Sequence, residues 1–399
     1  MMNDSRGDAP ETTRREALRR AIVGGAAAGF GVWAGPRFDR VARGDEPAVD
    51  DRALIIRNLV PLDAETPPTS LGGWITPNDL FFVRSHFGAP AAVSDRWTVS
   101  IGGLVDRPIA LSLADLDAME QVTLPAVLQC AGNGRGLFRP NIPGIGWARG
   151  AVGNAEWGGV RLVDVLEEAG LQEGVRHLHL LGADLPPHPK TPAFLRSLPR
   201  EKAIDPTTLL ATRMNGEPLP GLHGGPIRLV VPCWTANHSV KWLREITASE
   251  EEAPGFYQQT GYRIPREQAP PGSLIEDQDA ELIPVTAMNV KSLITAPGDG
   301  LRLGAGPVEV SGVAWTGPGR VESVEVSIDG GPWRPAALGG PDVEGSWRTW
   351  SMSWDAPAGS HTIRSRATDS QGQTQPDQSP WNKSGYLWNA IEQVDVEVS

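Results

Sequence analysis

Along most of this chain apolar residues alternate with polar ones over short stretches, and helical spacing recurs in only two places. Trp97-Thr98-Val99-Ser100-Ile101 alternates and stops at Gly102-Gly103, which predicts a strand and a turn. Ser112-Leu113-Ala114-Asp115 has the form of a capping box, and Leu113, Leu116 and Met119 would share one helix face. Val160, Val163, Leu166 and Ala169 give the second helix, closed by Gly170. Val175 to Leu181 reads as a strand, and Leu185 to Pro199 as a Pro-rich surface loop. Between the helices the apolar positions Val122, Leu124, Val127 and Leu128 run into a Gly/Asn turn at Cys130.

The pattern breaks at two points. Residues 39 to 69 are charged and Pro-containing, a linker that puts the start of the folded body near Leu71. Residues 268 to 284 are polar and acidic, and mark a domain boundary. Beyond them come short alternating strands at regular spacing: Val308 to Val310, Val324 to Ile328 before the Asp329-Gly330 turn, Trp350 to Trp354, and Ile363 to Ala367. About 110 residues of this kind predict an immunoglobulin-like β-sandwich, without the cysteine pair of antibody domains. The fold class expected is α+β, a mixed domain followed by an all-β one. The expected divisions are 1–45, a leader; 46–280, the chemistry-bearing domain; and 281–399, the sandwich.

A net charge of −12 argues against nucleic acid or an anionic membrane as the main partner, so any anionic substrate needs a locally positive pocket. The N-terminus reads Thr13-Arg14-Arg15-Glu16-Ala17-Leu18-Arg19-Arg20, followed by sixteen uncharged residues from Ala21 to Pro36. As a helix that run would span about 24 Å, short of the roughly 30 Å hydrocarbon core, so no membrane span is expected in the mature protein. Paired arginines before a weakly apolar segment resemble a twin-arginine leader, which exports proteins already folded. That places the protein in the periplasm. Cys130 and Cys233 could pair as a disulfide there, or Cys233 could be a buried structural thiol and Cys130 a thiolate ligand.

Basic residues supply the rest of the candidate chemistry. Arg84 and His86 follow an apolar run two residues apart, and share a face if that stretch is extended. His223, Arg228 and Lys241 bracket an apolar strand. They could form a cationic cradle for a phosphate, helped by the backbone N–H groups of Gly224 and Gly225, or be solvated loop charges.

Taken in order, Phe81-Phe82-Val83-Arg84-Ser85-His86, Leu128-Gln129-Cys130-Ala131-Gly132-Asn133, Gly144-Ile145-Gly146-Trp147, the Met214 to Pro232 block and Val240-Lys241-Trp242 resemble the sulfite oxidase family of molybdopterin enzymes. The likeness runs from about Trp74 to the C-terminus. It implies a molybdopterin-binding domain with Cys130 as the molybdenum ligand, beside the dithiolene of one pterin. It implies that Phe82, Val83, Arg84, Ser85, His86, Asp184, His223, Arg228, Ser239, Val240 and Lys241 hold that cofactor. Arg84, Arg135, Trp147 and Tyr262 would line the substrate pocket, where sulfite is oxidised to sulfate. The family's third substrate arginine falls at Ser384, beside Lys383. Gly134 stands where an arginine is common, and the loop from Arg135 to Trp147 is two residues shorter. No cytochrome b5-like stretch and no Cys-x-x-Cys-His motif occurs in the 399 residues, so no haem is expected in this chain and electrons would pass to an external acceptor, cytochrome c. The resemblance also implies a homodimer. The alternatives are a relative acting on another oxyanion or as a sulfoxide reductase, and a non-catalytic secreted binding protein.

Overall fold

The stretch expected to be a linker folds first. Strands β1 (Ile55–Leu59) and β2 (Leu62–Glu65) pair as an antiparallel hairpin, so the body begins well before Leu71. The usual polarity is inverted there, which hid the strands: Ile56 and Leu59 are 55% and 71% exposed while Asp63, Glu65 and Thr66 are buried. Ala64 exchanges both backbone hydrogen bonds with Val83, which ties the segment carrying Arg84 to the hairpin. The structure is a computed structural model and describes residues 53–90, 96–267, 271 and 281–399. The twin-arginine segment and most of the acidic boundary lie outside the described residues.

After the hairpin come β3 (Thr98–Gly103), β4 (Ile109–Ser112), helix α1 (Leu113–Ala118), β5 (Val122–Gln129), β6 (Val152–Arg161) and α2 (Leu162–Ala169). Ser112 and Asp115 cap α1 reciprocally, as their spacing predicts. Val160 belongs to β6 and not to the second helix. That helix starts two residues later and buries Leu162, Val165, Leu166 and Ala169, leaving Val163 half-buried. The chain continues through β7 (His177–Gly182), β8 (Leu195–Pro199), α3 (Arg200–Ala203), β9 (Leu209–Met214), β10 (Glu217–Pro218), β11 (Arg228–Val230), β12 (Leu243–Ser249), α4 (Phe256–Gln259), β13 (Arg263–Pro265) and β14 (Leu282–Pro284). Strand β8 corrects the surface-loop reading of 185 to 199 at its C-terminal end: residues 195–199 pair with β7 and bury Arg196, Ser197 and Leu198, while Leu185 stays exposed. One sheet runs β10-β9-β6-β5 with β11 on β9, and another runs β4-β3-β12-β7-β8. Val99, Ile101, Leu116, Val160, Val165, Leu180 and Ile246 form one core between them.

The remainder is nearly all strand. β15 (Lys291–Ala296), β16 (Leu301–Leu303), β17 (Gly306–Trp315), β18 (Val321–Ile328), β19 (Arg334–Pro335), β20 (Ala337–Gly339), β21 (Arg348–Ala356), β22 (Gly359–Asp369) and β23 (Glu392–Val398) make two sheets, β15-β17-β21-β20 and β16-β23-β22-β18-β19. Val310, Val324, Trp350, Ile363 and Val394 pack in their shared core. A separate cluster of Leu71, Val127, Val152, Leu293, Val313 and Trp315 joins these sheets to β5 and β6, and Trp315 Nε1 donates to Gln129 Oε1 at 2.5 Å. The residue before Cys130 is thus fixed from both sides. The described part is mostly strands with few, short helices, and none of its helices is long and apolar enough to cross a membrane.

Candidate active site

Strand β5 ends in four buried positions, Ala126 to Gln129, and delivers Cys130 to the wall of a cavity. The turn after it is held by Cys130 N donating to Ala151 O at 2.9 Å and Asn133 N to Cys130 O at 2.9 Å. Asn133 Oδ1 accepts from Ala151 N at 3.2 Å and locks the same turn. Cys130 and Cys233 are both free and buried, which removes the disulfide reading. Burial raises the Cys130 thiol, while the charges of Arg84 and Arg135 pull it down. A buried thiol facing two guanidinium groups is a soft ligand waiting for a cation.

Gly134 has φ +91° and a Cβ there would sit 2.8 Å from the Trp388 side chain. The arginine common in the family would therefore clash, which explains the glycine physically.

At the other end of the cavity lie Arg228, Lys241 and His223. Arg228 is 5% exposed, donates to the carbonyls of His223 (2.7 Å) and Ser239 (3.0 Å), and lies 5.0 Å over the Trp157 ring. Burial lowers its pKa to about 9, and it makes no ion pair among the described residues. Lys241 donates to Leu222 O at 2.9 Å, and burial lowers it to about 7. A glycine at 224 is what lets it in, because a Cβ there would meet Lys241 Cβ at 2.9 Å. His223 is pushed down to about 4 by burial, so it stands neutral with Nε2 donating to Asn78 O at 2.8 Å. His223 is thus neutral, Arg228 carries the positive charge, and Lys241, with a pKa of about 7, is charged only in part until an anion stabilises it. The N–H groups of Gly224 and Gly225 are spent on Gly221 O and Pro220 O, which corrects their reading as phosphate donors.

Buried cations are costly without a partner. The nearest carboxylate in the cavity, Asp184, is itself raised to about 6 by burial. A bound anion satisfies this end, and the donor set as a whole fits a group that brings a phosphate at one end and a thiophilic metal at the other.

Between these ends stand Phe82, Ser85, His86, Val240, Arg84 and Tyr262. Arg84 donates to Asp63 Oδ1 at 3.2 Å and to Ser85 O, and Asp63 is an acid of the hairpin that sequence reasoning had placed in a linker. His86 is stacked on Phe194 (4.3 Å, 21°), and burial holds its pKa well below the usual imidazole range. Nε2 of the neutral His86 ring shares a hydrogen bond with the Tyr262 hydroxyl, 3.0 Å away. Burial raises the Tyr262 phenol, and Arg84 and Arg196 draw it back.

Three expected site residues are not among those lining the cavity. Val83 is buried against Ala64. Trp147 is wholly buried in a cluster with Phe81, Phe82 and Cys130. Arg135 donates to Ser384 O at 2.9 Å and Ile145 O at 3.4 Å, with its guanidinium 5.3 Å over the Tyr386 ring. The C-terminal segment thus reaches the site through Ser384 and Tyr386, and Tyr386 stacks on Tyr262 at 5.2 Å. Sequence reasoning missed Asp63, Phe194, Arg196 and Tyr386. Phe194-Leu195-Arg196-Ser197-Leu198 shows no strict alternation and is flanked by prolines, so the sequence carried no clear strand signal there.

Comparison with known proteins identifies the family. Residues 86–257 match the family model of the oxidoreductase molybdopterin binding domain, and residues 283–399 that of the Mo-co oxidoreductase dimerisation domain. Mitochondrial sulfite oxidase of Homo sapiens is 36% identical over 375 residues, covering 89% of this chain and 68% of the relative. Sulfite oxidase of Arabidopsis thaliana is 32% identical over 373 residues, covering 85% of this chain and 93% of the relative. Among solved structures, the sulfane dehydrogenase SoxCD of Paracoccus pantotrophus superposes with a TM-score of 0.76 at 30% identity, covering 90% of this chain and 92% of that one.

Proposed function

From the premise that the chain belongs to the sulfite oxidase family of molybdopterin oxidoreductases, with a molybdenum–molybdopterin cofactor, we propose that it oxidises sulfite to sulfate. The observation that carries the reading is one cavity lined together by Cys130, Arg84, Tyr262, Arg228 and Lys241. Arg228, Lys241 and neutral His223 would hold the pterin phosphate, and Cys130 would ligate the metal as a thiolate. When bound, the cofactor supplies two-electron oxidation with oxygen transfer.

The chain's own residues do the rest. Arg84, aimed by Asp63, offers guanidinium donors to the oxyanion and leaves its charge partly uncompensated near Cys130. Tyr262 presents a hydroxyl fixed by its hydrogen bond with His86 Nε2, and because burial keeps the phenol protonated and the imidazole neutral, the pair positions a polar group beside the oxyanion and does not relay a proton. The stack of His86 on Phe194 fixes the plane of the imidazole. Arg135 acts from farther out, braced by the carbonyls of Ser384 and Ile145.

We read the C-terminal sheets as an immunoglobulin-like sandwich that forms a homodimer, the divisions as 1–45, 46–280 and 281–399, and the leader as twin-arginine with a periplasmic destination. Electrons would leave to cytochrome c. A second reading, oxidation of a sulfane sulfur, draws on the likeness to SoxCD. The test is sulfite-driven reduction of cytochrome c by the holoprotein, with sulfane substrates in parallel. Arg84→Gln should raise KM for sulfite about 10- to 100-fold with a smaller change in kcat, as lost anion binding does. An unchanged KM would move the substrate site elsewhere.

A further inference from the structure

Arg196 lies on β8, two residues after Phe194, and is 1% exposed. Its Nη1 donates to Tyr257 O, but Nε and Nη2 are buried with no hydrogen-bond partner. It makes no ion pair among the described residues, and the acid nearest its field, Glu252, is bonded to Arg263 at 2.6 Å. The guanidinium carbon stands 5.1 Å over the ring of Tyr262, whose hydroxyl meets His86. Phe194, Tyr262 and His86 all line the cavity, so Arg196 sits one side chain behind its wall. A buried cation this poorly compensated is not needed by the fold, since an apolar residue would pack at the same place without the desolvation cost.

We propose that Arg196 is a positioning residue for oxyanion binding, holding the Tyr262 ring by cation–π contact and projecting an unscreened positive charge through it onto the anion. The inference rests on the sulfite reading of the site and names a cation that the motifs of that reading do not contain. Through low-dielectric protein a charge at this range acts strongly, and it acts twice over on a dianion. The stacked Tyr386, with Arg135 against its ring, extends the arrangement on the C-terminal side. Each tyrosine thus has one guanidinium against it.

The test uses the holoprotein with Arg196→Met and Arg196→Lys, read by steady-state sulfite kinetics and by calorimetric titration with sulfate. Arg196→Met should raise both KM for sulfite and Kd for sulfate about tenfold while kcat stays within about threefold, and Arg196→Lys should recover most of the loss. Unchanged KM and Kd in Arg196→Met would overturn the proposal. So would Arg196→Lys losing as much anion affinity as Arg196→Met, since the charge would then be irrelevant. If Arg196→Met does not fold, Arg196→Gln takes its place: a roughly tenfold loss of sulfate affinity that Arg196→Lys restores supports the proposal, and unchanged Kd in Arg196→Gln overturns it. Sulfate titration is independent of turnover. Wild-type protein that binds sulfate without oxidising sulfite therefore refutes the substrate reading and leaves the Arg196 claim measurable.

Discussion

Cys130→Ser will leave a folded protein with no useful turnover. The backbone around Cys130 is held by bonds from Cys130 N to Ala151 O and from Asn133 N to Cys130 O, neither of which involves the sulfur. The substitution removes one polarizable atom at a position only 8% exposed and leaves those bonds in place. Its chemical effect is far larger. The thiol, though raised by burial, lies in the field of Arg84 and Arg135 and can ionise to a soft ligand; a serine hydroxyl in the same place is harder and far less acidic. Changing residues that merely support a metal ligand already costs about 10- to 100-fold, so losing the ligand should cost at least about 100-fold in kcat/KM. Circular dichroism and Tm should stay near wild type. Near-normal sulfite turnover would show that the ligand lies elsewhere.

The second large effect is expected at the far end of the cavity. Arg228 is buried, lowered to about 9 by desolvation, and without a carboxylate partner among the described residues. In protein made without cofactor synthesis that charge destabilises the fold, and its hydrogen bonds to His223 O and Ser239 O offset only part of the cost. Arg228→Met should therefore leave the Tm of cofactor-free protein unchanged or raise it by a few degrees. In cells that make the cofactor, the same variant should lose about tenfold or more of its molybdenum, because the anion that compensates the charge has lost its partner. Molybdenum content equal to wild type would mean the cofactor is not anchored here.

How much of this was legible in the sequence follows from the range of the interactions. The capping box at Ser112 and Asp115 and the turn at Asp329-Gly330, both with positive φ, are local and could be read directly. So could the strands from Val308 onward, where burial alternates with the pleat. The hairpin at 55 to 65 could not, because it turns isoleucine and leucine outward and buries Asp63 and Glu65 for pairing with Arg84 and Arg57. Strand β8 was concealed by its prolines, and with it Arg196. Val160 fits a helical spacing only by coincidence with the helix that follows its strand.

At the site, motif residues that touch the cavity were recognisable by type and order. What sequence could not convey is that Arg135 turns toward Ser384 and Tyr386, residues about 250 positions away. Nor could it show that His223 is stripped of its charge by burial while Lys241 and Arg228 are left to meet the phosphate. Those are properties of packing, and packing is set by the whole chain.

The central claim is that this cavity holds molybdenum through Cys130. Elemental analysis of protein expressed with intact cofactor synthesis tests it most directly. One molybdenum per chain, retained through gel filtration and sharply reduced in Arg228→Met, is the predicted result; correctly folded protein containing no molybdenum under those conditions would contradict the account.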